Sequence, residues 1–224
     1  MATALLTVAA CSGPSGSQSS TTRSATPIPQ QDAPAALEMG GAKSVTRFFV
    51  TSRGMGRGGD LGGLTGADAH CQALAQAEGS GDHTWRAYLS TTATSTTAAV
   101  NARDRIGKGP WYNALGDRVA TDIRDLHSGA KTIGEENALT ERGDTVSPDA
   151  VMVTGSRADG TAFLPGDDLT CANWTSSGSG RAQLGAVNQQ HRTGTWNSAH
   201  ASRGCKQQDV GGAGGALLYC FASD

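Results

Sequence analysis

Hydrophobic residues in this chain fall into short runs separated by long polar and glycine-rich stretches. Val45-Thr-Arg-Phe-Phe-Val-Thr51 is β-branched and aromatic and predicts a strand. A glycine-rich connecting loop runs from Arg53 to Gly63. The period then changes: Ala67, Cys71, Leu74, Ala75 and Glu78 recur at helical spacing and share one face. Thr65 and Asp68 have the spacing of a capping pair at the start of that helix, and Gly79 supplies its stop. Trp85-Arg-Ala-Tyr-Leu-Ser90 alternates as a second strand, and residues 96–104 predict a short helix. The chain then reads as irregular until Ala150-Val-Met-Val-Thr154, another strand. Thr170 to Thr175 and Leu217 to Phe221 follow as short strands or strand ends. Short strands, one firm early helix and long loops give an α+β class.

Composition sharpens this picture. Aromatic residues make up 5% of 224 residues while Gly numbers 31, so large core side chains are few and the fold needs additional help against conformational entropy. A net charge of −2 gives no reason to expect a nucleic-acid partner. No apolar run has the length of a spanning helix. Cys71, Cys171, Cys205 and Cys220 form an even set without a Cys-x-x-Cys pair, which favours two disulfides over metal ligation; four cysteines allow three pairings.

The fifth cysteine has a different context. Met1 to Ala10 is uncharged and mostly apolar, and Ser12 to Lys43 is rich in Ser, Thr, Pro and Gln with no aromatic residue. Val8-Ala-Ala-Cys11 at that junction resembles the lipobox of bacterial lipoproteins, in which the cysteine is acylated and becomes the mature N-terminus. The resemblance implies a signal segment over 1–10, a flexible tether over 11–43 and a domain over 44–224. The protein would be exported and lipid-anchored through Cys11 to the cell envelope, at the surface or facing the periplasm. No Lys or Arg precedes Cys11, so the signal segment reads as truncated.

Candidate catalytic signatures are weak. Gly54-Met-Gly-Arg-Gly-Gly59 fits a dinucleotide fingerprint, but the helix begins several residues too late to aim its N-terminus at a pyrophosphate; a flexible connecting loop is the simpler reading. His70, His83, His127, His191 and His200 lack zinc-ligand spacing, and no G-x-S-x-G elbow is present. Glu135-Glu136 and Asp167-Asp168 read as solvated loops.

Several segments in order carry a second resemblance. Gly58-Gly-Asp-Leu-Gly-Gly-Leu-Thr-Gly-Ala-Asp-Ala-His-Cys71, Thr84-Trp-Arg-Ala-Tyr-Leu-Ser90, Val153 to Gly160, Cys171-Ala-Asn-Trp-Thr175, Cys205 and Leu218-Tyr-Cys-Phe221 together resemble endostatin, a compact C-type lectin-like domain. In layout the chain is similar to bacterial endostatin-like surface lipoproteins. The resemblance implies nested disulfides, Cys71 with Cys220 and Cys171 with Cys205. It makes Trp196-Asn197 comparable to the Trp-Asn-Asp segment that ligates Ca²⁺ in C-type lectins. Ser198 replaces the acid here, so no metal or other cofactor is expected; Trp196 reads as structural, and Asp167, Asp168 and Asn197 would be the ligands to test. Arg86, Arg157 and Arg181 fall where endostatin carries its heparin-binding arginines, but they are few on a chain that is not basic. The function implied is a non-catalytic binding module, an adhesin or lectin-like protein recognising an extracellular protein or glycan. A structural envelope lipoprotein without external ligand and an enzyme are the alternatives.

Overall fold

The computed structural model describes residues 43–129, 132–188, 194–211 and 215–224. Cys11, the signal segment and nearly all of the tether lie outside the described residues. The domain is α+β with small antiparallel sheets and few helices. Its centre is a three-stranded sheet in the order β1 (Phe48–Val50), β8 (Tyr219–Ala222) and β2 (Trp85–Ala87). First and last strands pair antiparallel, with Phe48 opposite Phe221 and Val50 opposite Tyr219. A second sheet runs β5 (Val151–Val153), β6 (Gln183–Ala186), β7 (His200–Ala201). A hairpin of β3 (Trp111–Tyr112) and β4 (Arg118–Ala120) is followed by the short helix α2 (Ile123–Leu126).

Both faces of the central sheet are buried, and the period-two alternation of β8 divides the interior. Leu218 and Cys220 face one cluster with Phe49, Trp85 and Trp174. Tyr219 and Phe221 face the other, with Phe48, Tyr88, Trp111 and Trp196. All four tryptophans are less than 2% exposed. Each indole N–H donates to a carbonyl: Trp85 to Ser80 at 2.7 Å, Trp111 to Ala222 at 3.1 Å, Trp174 to Ser90 at 2.8 Å, Trp196 to Leu126 at 3.2 Å. Few aromatics suffice because they are concentrated here and satisfied.

The early helix, α1 (Gly63–Ala77), buries Ala67, Cys71, Leu74 and Ala75, the face its spacing predicts. Glu78 is exposed instead, 3.5 Å from Arg142. The capping pair is corrected. The helix begins at Gly63 behind Gly62, with no side-chain cap, so Thr65 lies inside it. Asp68 turns away from the helix start to accept from Arg86 at 2.8 Å, from Arg105 and from the Ala87 amide at 2.9 Å. A nearly buried carboxylate draws fixed cations and amides more strongly than it draws its own helix terminus. Gly79 follows the helix at φ +76°, as its C-terminal role requires.

Two disulfides close the domain. Cys71–Cys220 ties α1 to β8, and Cys171–Cys205 lies within that loop in sequence, the nested pairing the resemblance implies. In the chain-entropy picture, separations of 149 and 34 residues correspond to about 5 and about 4 kcal/mol. The glycine loop is packed rather than free. A Cβ on Gly59 would stand 2.6 Å from Cys171 Sγ, and one on Gly58 would stand 2.4 Å from the Cys205 carbonyl oxygen. Residues 96–104 contain only one 3₁₀ turn, Ala102–Asp104. The segment expected as a strand near Thr170 is a left-handed turn: Cys171, Ala172, Asn173 and Trp174 have φ of 49°, 54°, 55° and 66°.

Candidate functional site

A cleft of about 480 Å³ opens where β1 ends and β8 begins. Its floor combines Thr51 and Thr140 with the apolar Val146 and Leu217, all buried; its rim carries the exposed Thr145, Ser147 and Asp149. Local bonding fixes the hydroxyls. Thr51 Oγ1 accepts the Leu218 amide at 3.0 Å. Thr140 Oγ1 accepts the amides of Asp144 at 3.1 Å and Arg142 at 3.3 Å, which holds the 140–145 turn. Ser52 is anchored by Glu141, whose buried carboxylate accepts both its amide, at 2.9 Å, and its hydroxyl. Arg142 lies 3.9 Å from that carboxylate. The cleft is therefore rigid on its β1 side, shaped by bonds that link residues some 89 positions apart.

Position relative to the chain's entry matters. Lys43, the first described residue, pairs with Asp224 beyond the opposite end of the same two strands. His83 and the Thr84 amide complete that clasp, at 3.2 and 3.1 Å from Asp224. Burial alone would raise the Asp224 carboxyl, but these partners together hold it well below the usual carboxylate range. The cleft and the entry point thus occupy opposite ends of the β1–β8 pair.

The residues singled out from sequence lie elsewhere. Trp196 is fully buried, with its ring centroid 4.9 Å from Tyr88 and 5.1 Å from Tyr219. Asn197 is also fully buried. Its amide nitrogen reaches the Tyr88 hydroxyl at 2.8 Å and the carbonyls of Arg157 and Ala158, while its oxygen accepts from Thr195 at 2.6 Å. Both are interior residues, so neither is available to a ligand at the surface. Among the described residues no group of three or more His, Cys, Asp or Glu converges as a metal site would require. Asp168 caps the left-handed turn through Thr170 at 2.8 Å and Ala172 at 3.0 Å.

Each of the three arginines has its own local partner. Arg86 is engaged by Asp68 of α1, Arg181 donates to the Ser202 carbonyl at 2.9 Å, and Arg157 sits in the turn closed by its amide to Thr161 at 2.9 Å. The glycine fingerprint is likewise spent on structure. The Gly58 amide donates to Gln207 Oε1 at 2.7 Å and the Gly59 amide to Cys205 at 2.8 Å, so neither points at a phosphate.

One buried polar cluster involves Tyr88, His127 and Asn197. The Ile123 carbonyl can only accept, so His127 Nδ1 carries the proton at 2.8 Å, and Nε2 accepts the Tyr88 hydroxyl at 2.7 Å. Burial pushes the Tyr88 hydroxyl well above the ordinary tyrosine range and lowers His127. Gly160 closes over the pair: a Cβ there would lie 2.5 Å from His127 Nε2 and 2.8 Å from the Tyr88 oxygen.

Sequence reasoning passed over the cleft because residues 105–149 carry no period. The one available signal was the density of hydroxyls at Thr140, Thr145 and Ser147. No family model and no curated protein matches the chain.

Proposed function

We propose that this protein is a non-catalytic binding module of endostatin-like, C-type lectin-like fold. Cys11 and the polar segment after it tether the module to the cell envelope, and the cleft meets an extracellular protein or glycan. The observation that carries this reading is the placement of a concave, hydroxyl-lined cleft at the end of β1 and β8 remote from Lys43. The two disulfides suit an oxidising compartment outside the cytosol. Among the described residues no helix is long and apolar enough to cross a membrane. The polar interior groups are committed to each other, as the Tyr88–His127–Asn197 bonds illustrate, which favours binding over chemistry.

The test is an array of glycans and extracellular matrix proteins probed with the full chain and with Thr145→Trp, which fills the cleft from its exposed rim. At least one array member should bind the wild type and lose binding to the variant. Absence of any ligand, or binding indifferent to Thr145→Trp, would leave the structural-lipoprotein alternative.

A further inference from the structure

We infer that the cleft takes an extended, lysine- or arginine-bearing segment of a partner protein. This rests on the reading of the domain as a binding module and names its ligand class. The polarity of the lining carries the argument. Thr51, Thr140 and Ser147 hydroxyl oxygens already accept main-chain amides, from Leu218, from Asp144 and Arg142, and from Asp149. Thr140 Oγ1 has both lone pairs taken and Thr51 and Ser147 have one each taken, while each O–H is left to donate, so the cleft offers donors to a ligand rich in acceptors. A peptide main chain, with a carbonyl at every residue, is such a ligand.

Charge narrows the choice further. Asp149 stands exposed on the rim and has no ion-pair partner among the described residues. Asp144 lies exposed in the same segment, and Arg142, the cation of that turn, is directed to Glu78 and Glu141. Asp149 is thus the one charged residue among the described lining, and it is negative. Val146 and Leu217 on the floor suit the aliphatic stem of a lysine or arginine, whose head would then reach Asp149. No described aromatic residue lines the cleft, so it lacks the flat platform on which a sugar ring packs. An acidic glycan would meet the Asp149 carboxylate, of its own sign.

A random nine-residue display library panned against the full chain, with a glycan array in parallel, tests this. Enriched peptides should carry Lys or Arg. A synthetic copy of one should bind wild type about five-fold more tightly than Asp149→Asn, with affinity falling as salt rises. Asp149 is exposed, so the substitution leaves the fold intact. Enriched peptides without basic residues, or equal binding to Asp149→Asn, would overturn the inference. A glycan whose binding is lost in Thr145→Trp would also overturn it while leaving the binding-module reading standing. No ligand of either class would remove both.

Discussion

His127 has two fixed partners and room for only one proton. Its Nδ1–H is held by Ile123 and its Nε2 by the Tyr88 hydroxyl, which in turn receives the Asn197 amide. A second proton on the ring would face the hydroxyl's own hydrogen and force it to turn away from Nε2. Burial therefore lowers the folded-state pKa below the ordinary 6.5, outweighing the Ile123 carbonyl, which pulls it up. The folded protein binds fewer protons here than the unfolded chain. The resulting stability is fully present above 6.5 and is lost as pH falls through the lowered folded value. Thermal unfolding of wild type and His127→Gln across mildly acidic pH checks this. The wild type should lose Tm more steeply as pH drops; parallel profiles would show that His127 does not couple.

At the scale of the element, the left-handed turn at Cys171–Trp174 is the least expected feature. L-residues in that conformation cost roughly 1–2 kcal/mol each. The turn persists because its surroundings over-determine it. Cys171 is cross-linked, Trp174 is buried with its indole on Ser90, and Asn173 bonds both the amide and the carbonyl of Thr92, at 2.7 and 3.1 Å. Ala172, at φ 54° and ψ 52°, is exposed, and its bonds to Asp168 and Thr175 are made by its main chain, which glycine keeps. Ala172→Gly should consequently stabilise the domain by about 1 kcal/mol, the relief of left-handed strain exceeding the extra freedom of the unfolded chain. Urea denaturation decides it, and a lower midpoint for the glycine variant would contradict the strain argument. The same surroundings explain why the glycine loop cannot vary: Gly58 and Gly59 lie against Cys205 and Cys171 at distances that exclude a side chain.

For the whole molecule, the two ends of the domain meet. Pairing β1 with β8 brings Lys43 to Asp224, and Cys71–Cys220 locks the last strand to the first helix. The cleft lies at the other end of that strand pair. The anchor proposed at Cys11 is open to direct test. Cys11→Ala should shift the protein from the membrane fraction to the soluble exported fraction on cell fractionation. Mass spectrometry should find the wild-type mature chain beginning at an acylated Cys11. An unacylated mature chain that retains residues before Cys11 would end the lipoprotein reading.

What the sequence determined by itself was local. The β-branched and aromatic runs around Phe48, Trp85, Val151 and Tyr219 became strands, and the Ala67–Cys71–Leu74–Ala75 stripe became the buried helix face, because periodicity reports which side meets the core. The even cysteine set likewise announced two cross-links. Tertiary structure decided the rest, wherever a residue's conformation depends on distant partners. Asp68 left its helix cap for Arg86, Arg105 and Ala87. Thr170 to Thr175 gave up an extended form once a disulfide and a buried indole fixed both ends of the Cys171–Trp174 turn. The cleft joins Thr51 and Ser52 to residues 140–151 and to Leu217, segments with no periodic pattern in common. Its shape comes from long-range bonds such as Ser52 to Glu141, and no local window of sequence contains both partners of such a bond.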